Sequence, residues 1–204
     1  MINLSLINLP TCLTIFRLLL SPVLLPVILI HFLPLHSLLI NSVLTLTFVL
    51  ISFTDFLDGY FARLYRQETN LGRLLDPIAD KILVFSTLVA LVHVQKLNVY
   101  WPIIIIGRDF FVMGLREIAL HQGFSVPVLP IGKIKTGMQI ATLAFIILNP
   151  VQSLGWQASY WNKVELTLLC ATFLITILSG IYYYQQFIRL WQQKNISTDS
   201  LANS

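Results

Sequence analysis

The chain has 204 residues, of which 56% are hydrophobic and only 11% charged. A soluble domain carries about 25% charged residues, so this supply cannot solvate a globular surface, and the hydrophobicity equally excludes disorder. With two cysteines, Cys12 and Cys170, it is no disulfide scaffold, and a net charge of +4 dispersed among apolar runs gives no basic patch for nucleic acid.

What remains is an all-α polytopic membrane protein. A spanning helix needs roughly 20 apolar residues. Six such stretches follow in chain order, at 12–33, 37–61, 77–95, 99–120, 134–152 and 164–188. Before the first, Ile2 to Leu9 alternates apolar and polar residues and suits the membrane interface. Pro22 and Pro26 fall inside the first span, where neighbouring helices can satisfy the freed carbonyls. The N-terminus has no basic run and no small-residue cleavage site, so the first span is expected to stay in the protein. Residues 1–191 form one transmembrane domain, and 192–204 a polar, fraying tail.

Arg17, Arg63, Arg66, Arg73, Lys81, Arg116, Lys133, Lys135, Arg189 and Lys194 fall on one side of these spans, against Lys96 and Lys163 on the other. The positive-inside rule then puts both termini in the cytoplasm. Tyr100, Trp101, Trp156, Tyr160 and Trp161 cluster at the outer side as an aromatic belt, and Tyr182, Tyr183 and Tyr184 anchor the last span at the inner one. The four histidines have no ligand spacing, and both cysteines read as free thiols.

Five of the nine carboxylates lie between positions 55 and 80. Asp55 and Asp58 are three apart, and Gly72, Asp76 and Asp80 are spaced by four, so each set shares one helical face. Asp55 stands about 27 Å along the second span, near the cytoplasmic edge from which the third span descends. Glu68 reads as a solvated loop residue. Four aspartates brought to one point at a membrane edge repel strongly, so they are partly protonated or they bind cations. Oxygen ligands without histidine or cysteine favour magnesium, manganese or calcium, and four of them suit a two-metal site. Gly59, Ala62 and Gly72 on the same faces let a bulky nucleotide approach the backbone.

The string Asp55-x2-Asp58-Gly59-x2-Ala62-Arg63-x8-Gly72-x3-Asp76-x3-Asp80 resembles the signature of the CDP-alcohol phosphatidyltransferases at all eight positions. The resemblance implies a six-helix membrane fold, commonly homodimeric, in the bacterial cytoplasmic membrane with its site open to the cytoplasm. It implies Asp55, Asp58, Asp76 and Asp80 as ligands of two divalent ions, magnesium or manganese. Asp80 would be the base, and Asp58, Gly59, Ala62, Arg63 and Gly72 would hold the CDP of CDP-diacylglycerol. Further stretches, NLPTCLTIFR (8–17), GRDFFVMGLRE (107–117) and IGKIKT (131–136), resemble the branch of the family whose acceptor is glycerol 3-phosphate. That adds Asn8, Thr11 and Arg17 to the CDP site, with Thr11 standing where many relatives have asparagine.

An anionic acceptor also follows from the residues. Arg116, Lys133 and Lys135 lie near the cytoplasmic mouth without obvious local carboxylates apart from Glu117, and a phosphate would satisfy them. Lys133 and Lys135, two apart, point differently on a helix and suit a loop or a first turn. Arg108, deeper and followed by Asp109, suits an internal ion pair as well as a phosphate contact. The alternatives are a sister enzyme of cardiolipin, phosphatidylserine or inositol-phosphate type, or an ion-coupled transporter with intramembrane carboxylates. The transporter fits poorly, because the carboxylates sit at one edge in a single hairpin.

Overall fold

The structure, a computed structural model, describes the backbone of residues 23–35, 37–64, 70–149 and 158–202, and side chains over 23–35, 37–54, 81–149 and 159–194. All regular structure among these residues is helical. The helices are α1 (Leu24–Phe32, closed by a 3-10 turn, Leu33–Leu35), α2 (Leu38–Leu64), α3 (Asn70–His93), α4 (Tyr100–His121), α5 (Pro130–Leu148) and α6 (Ala158–Ala202).

Boundaries differ from the hydropathy limits for a consistent reason. Hydropathy marks only the apolar part of a helix, whereas the backbone ladder continues into polar turns. Helix α3 starts at Asn70 rather than 77, taking in the whole Gly72–Asp76–Asp80 row. Helix α5 starts at Pro130 rather than 134, because proline is pre-organised for the first helical position. Helix α6 runs on to Ala202, so the polar residues from 192 do not end it. Its extension is tied down by Trp191, which packs on Phe124 and Phe187, and by Lys194, whose ammonium donates to the Gln122 carbonyl.

Helix ends explain the connections. After α4, Gly123 takes φ +76, with the Phe124 N–H on the Ala119 carbonyl and the Gly123 N–H on the Leu120 carbonyl. This is a Schellman closure, which favours glycine at its left-handed position. The end of α3 closes in the same way, with Gln95 at φ 58.

Helix α1 packs on α3, α2 on α5, and both α4 and α5 on α6. Leu29, Phe48, Leu88, Leu91, Leu143 and Ile146 make the main core. Small polar groups seat the close helix contacts. The Thr142 and Thr172 hydroxyls meet at 2.7 Å between α5 and α6, and Thr45 on α2 reaches the Ala144 carbonyl at 3.5 Å. Large apolar side chains such as Leu39, Phe53, Ile103, Phe110, Leu166 and Leu174 stay exposed, as lipid-facing residues would.

Among the described residues, Pro130–Leu148 and Ser159–Lys194 are long and apolar enough to cross a membrane. Apolar stretches at Leu24–Leu35, Leu38–Thr54 and Lys81–His93 are shorter. Helix α4 is interrupted by Arg108, Asp109, Arg116 and Glu117.

At the end of the bundle where α5 finishes, the Lys96 ammonium donates to the carbonyls of Asn149 (2.8 Å) and Ile146 (3.3 Å), and the Asn149 amide to Glu165 (2.5 Å). The cation thus covers the carbonyl end of α5. Burial pushes Lys96 from its ordinary 10.5 down to about 8, against the opposing pull of Glu165. Between these values the unfolded chain holds a proton that the folded one has released. Stability therefore rises with pH across this window and falls as pH drops through about 8. Melting in detergent from pH 8 to 10 should show a rise that Lys96→Met flattens; an identical slope in that variant would remove Lys96 as its source.

Candidate active site

Helix α2 carries Asp55, Asp58, Gly59, Ala62 and Arg63 in its C-terminal part, and α3 carries Gly72, Asp76 and Asp80 in its N-terminal part. Both segments are helical, so the spacings of three and four place each aspartate set on one helical face. Asn8, Thr11 and Arg17 lie outside the described residues, as do Arg66 and Glu68. The donor chemistry of the quartet is carboxylate oxygen alone, which fits a hard divalent cation and not zinc. Among the residues with described side chains, no group of three or more histidine, cysteine, aspartate or glutamate residues could hold a metal ion.

The side chain after Asp80 leads into a charged cluster inside the bundle. Asp109 stands mid-way along α4, about 18 Å from its C-terminal end. Its carboxylate accepts from the Lys135 ammonium through both oxygens at 2.7 Å and from Arg108 Nη1 at 3.0 Å, and Lys81 approaches to 3.4 Å. Lys135 is 1% exposed and Asp109 6%. Three cations against one carboxylate leave the cluster with an excess positive charge. Two Arg108 nitrogens, Nε and Nη2, are buried without a hydrogen-bond partner among the described residues. Buried cations in excess of the carboxylate they share are an electrostatic match for an anion.

Of the residues expected at the acceptor phosphate, the structure brings Lys135 and Arg108 together on Asp109. Lys133 and Arg116 are exposed. Lys135 therefore does have a carboxylate partner, contrary to what its sequence neighbourhood suggested, because Asp109 reaches it from another helix. Lys133 and Lys135 do point differently, in the first turns of α5.

Tyr183 also belongs here rather than at the interface. It is buried, and its ring lies 5.4 Å below the Arg108 guanidinium as a cation–π partner. Its hydroxyl accepts the Leu129 N–H at 3.0 Å, at the entrance to α5. A Cβ on Gly132 would stand 2.9 Å from that hydroxyl, so only glycine fits beside it. Gly132→Ala should destabilise the protein by about 1–3 kcal/mol through overpacking, and by less in a Tyr183→Phe background. Additive losses in detergent melting would show that the two do not meet.

The profile of the CDP-alcohol phosphatidyltransferase family matches residues 7–193, and the chain belongs to that family. It is 38% identical over 179 residues to a protein of Rickettsia felis, covering 87% of this chain and 94% of the other. It is 33% identical over 186 residues to one of Bacillus subtilis (88% and 94%), and 34% over 149 residues to one of Salmonella choleraesuis (70% and 78%). Each of these relatives is named CDP-diacylglycerol–glycerol-3-phosphate 3-phosphatidyltransferase. Family and apolar helices together make the chain an integral membrane protein, and the family generally depends on a divalent metal.

Proposed function

We propose that the chain transfers the phosphatidyl group of CDP-diacylglycerol to glycerol 3-phosphate, giving phosphatidylglycerophosphate and CMP. The observation that carries this reading is similarity over nearly the whole of both chains to relatives bearing that activity as their name. The excess positive charge around Asp109 supports an acceptor that brings its own phosphate.

In this reading Asp55, Asp58, Asp76 and Asp80 hold two divalent ions, magnesium or manganese. When bound, these neutralise the pyrophosphate and the negative charge that develops on transfer. Asp80 takes the proton of the acceptor hydroxyl. The hydroxyl oxygen forms a bond to the phosphatidyl phosphorus, and the bond from that phosphorus to the CMP oxygen breaks, the electron pair leaving with CMP. No covalent enzyme intermediate is required. Gly59, Ala62 and Gly72 leave room for the nucleotide, which Asn8, Thr11, Arg17, Asp58 and Arg63 help to hold. Lys135 and Arg108 receive the acceptor phosphate, with Arg116 and Lys133 drawing it toward the mouth.

The protein crosses the bacterial inner membrane six times as a homodimer, with both termini and the site on the cytoplasmic side. The excess of lysine and arginine on that side supports the orientation. The test is CMP release by purified protein in detergent with glycerol 3-phosphate, serine, inositol phosphate and phosphatidylglycerol in turn. Glycerol 3-phosphate should be used and plain glycerol used poorly, because glycerol leaves the buried cations unpaired. Turnover with another alcohol and none with glycerol 3-phosphate would make the protein a sister enzyme.

A further inference from the structure

We infer that Asp109 is a positioning residue for the acceptor: it holds Lys135 inside the bundle and sets that cation in one frame with Lys81, the neighbour of Asp80. The inference rests on the reading above, in which an anionic acceptor is received beside the aspartate quartet.

Helices α3, α4 and α5 meet on this one carboxylate, through Lys81, Arg108 and Lys135. The lysine side chain is long and flexible, and an ammonium left to itself would extend toward water. Two 2.7 Å contacts to Asp109 keep Lys135 inward instead. Lys81 follows Asp80 directly on α3, so the same carboxylate fixes α3 against the helices that carry the interior cations. A carboxylate present only to neutralise would be matched by one cation. Here three cations share it, so the charge that an anion needs is kept while its place is fixed. Remove the carboxylate and the three cations repel one another in a medium of low dielectric. Asp109 need not touch the acceptor; it acts through Lys135.

Asp109→Asn keeps the shape and removes the charge. The apparent constant for glycerol 3-phosphate should rise about 10- to 150-fold, the loss of one charge-assisted hydrogen bond, while that for CDP-diacylglycerol stays within about twofold. The rise in melting temperature that glycerol 3-phosphate gives the parent in detergent should disappear. In a Lys135→Met background, Asp109→Asn should change the acceptor constant several-fold less than it does in the parent, because the share of its effect that runs through Lys135 is gone and only the contacts to Arg108 and Lys81 remain.

A parent-like acceptor constant in Asp109→Asn overturns the inference. So do effects that multiply in the double variant, or a loss that strikes both substrates alike. Should Asp109→Asn fail to fold, Lys135→Met/Asp109→Asn is compared with Lys135→Met, where the buried ammonium is gone. A loss well short of tenfold then supports the role, and a further tenfold loss overturns it. Failure of the underlying reading shows elsewhere, in a parent that releases no CMP with glycerol 3-phosphate. The cycle is then read with whichever acceptor the parent does use.

Discussion

Asp80→Asn should reduce CMP release by at least about 10²-fold, and by up to about 10⁴-fold if only proton removal is lost. Asparagine keeps the shape of the side chain but can neither take the proton of the acceptor hydroxyl nor supply a full negative charge to a divalent ion. Both losses act on turnover. The nucleotide contacts proposed at Gly59, Ala62, Arg63 and Gly72 are untouched, so CDP-diacylglycerol binding should remain measurable. The assay is single-turnover CMP release beside equilibrium binding of the liponucleotide at matched protein levels. A variant that kept more than about a tenth of the parent rate would leave Asp80 no part as base, since even the smallest expected loss is about 10²-fold.

Removal of divalent ions should abolish turnover altogether, and magnesium or manganese should restore it. Four aspartates on two consecutive helices carry a charge that the membrane edge cannot tolerate unpaired. Their oxygen donors match hard ions. Chelation should also lower the melting temperature in detergent, because four like charges are then left to repel one another. Zinc should restore activity poorly, the quartet offering no nitrogen or sulfur. Undiminished turnover after exhaustive chelation would dismiss the two-metal reading.

Much of this was legible in the chain because it depends on local spacing. Apolar runs of spanning length foretold the helices, and the intervals between Asp55, Asp58, Gly72, Asp76 and Asp80 survive in any α-helix that contains them. The ends were less legible, at Asn70, Pro130 and Ala202, because hydrogen bonding along a helix does not stop where hydropathy changes. The long α6 shows the reason plainly. Its polar turns are stabilised by Trp191 on Phe124 and by Lys194 at Gln122, partners some seventy residues away in sequence.

The sequence alone determined the membrane class, the family and the spacing of the four aspartates along two helices, because composition and i, i+3 or i, i+4 spacing are properties of a single strand of chain. Only the tertiary structure decided that Lys135 turns inward while Lys133 and Arg116 stay exposed. It likewise paired Lys135 with Asp109, 26 positions earlier, and put Tyr183 beneath Arg108. Each of these pairings joins residues on different helices. Their choice depends on how α3, α4, α5 and α6 are rotated and packed, and that is set by the summed burial of many apolar contacts, which no short motif records.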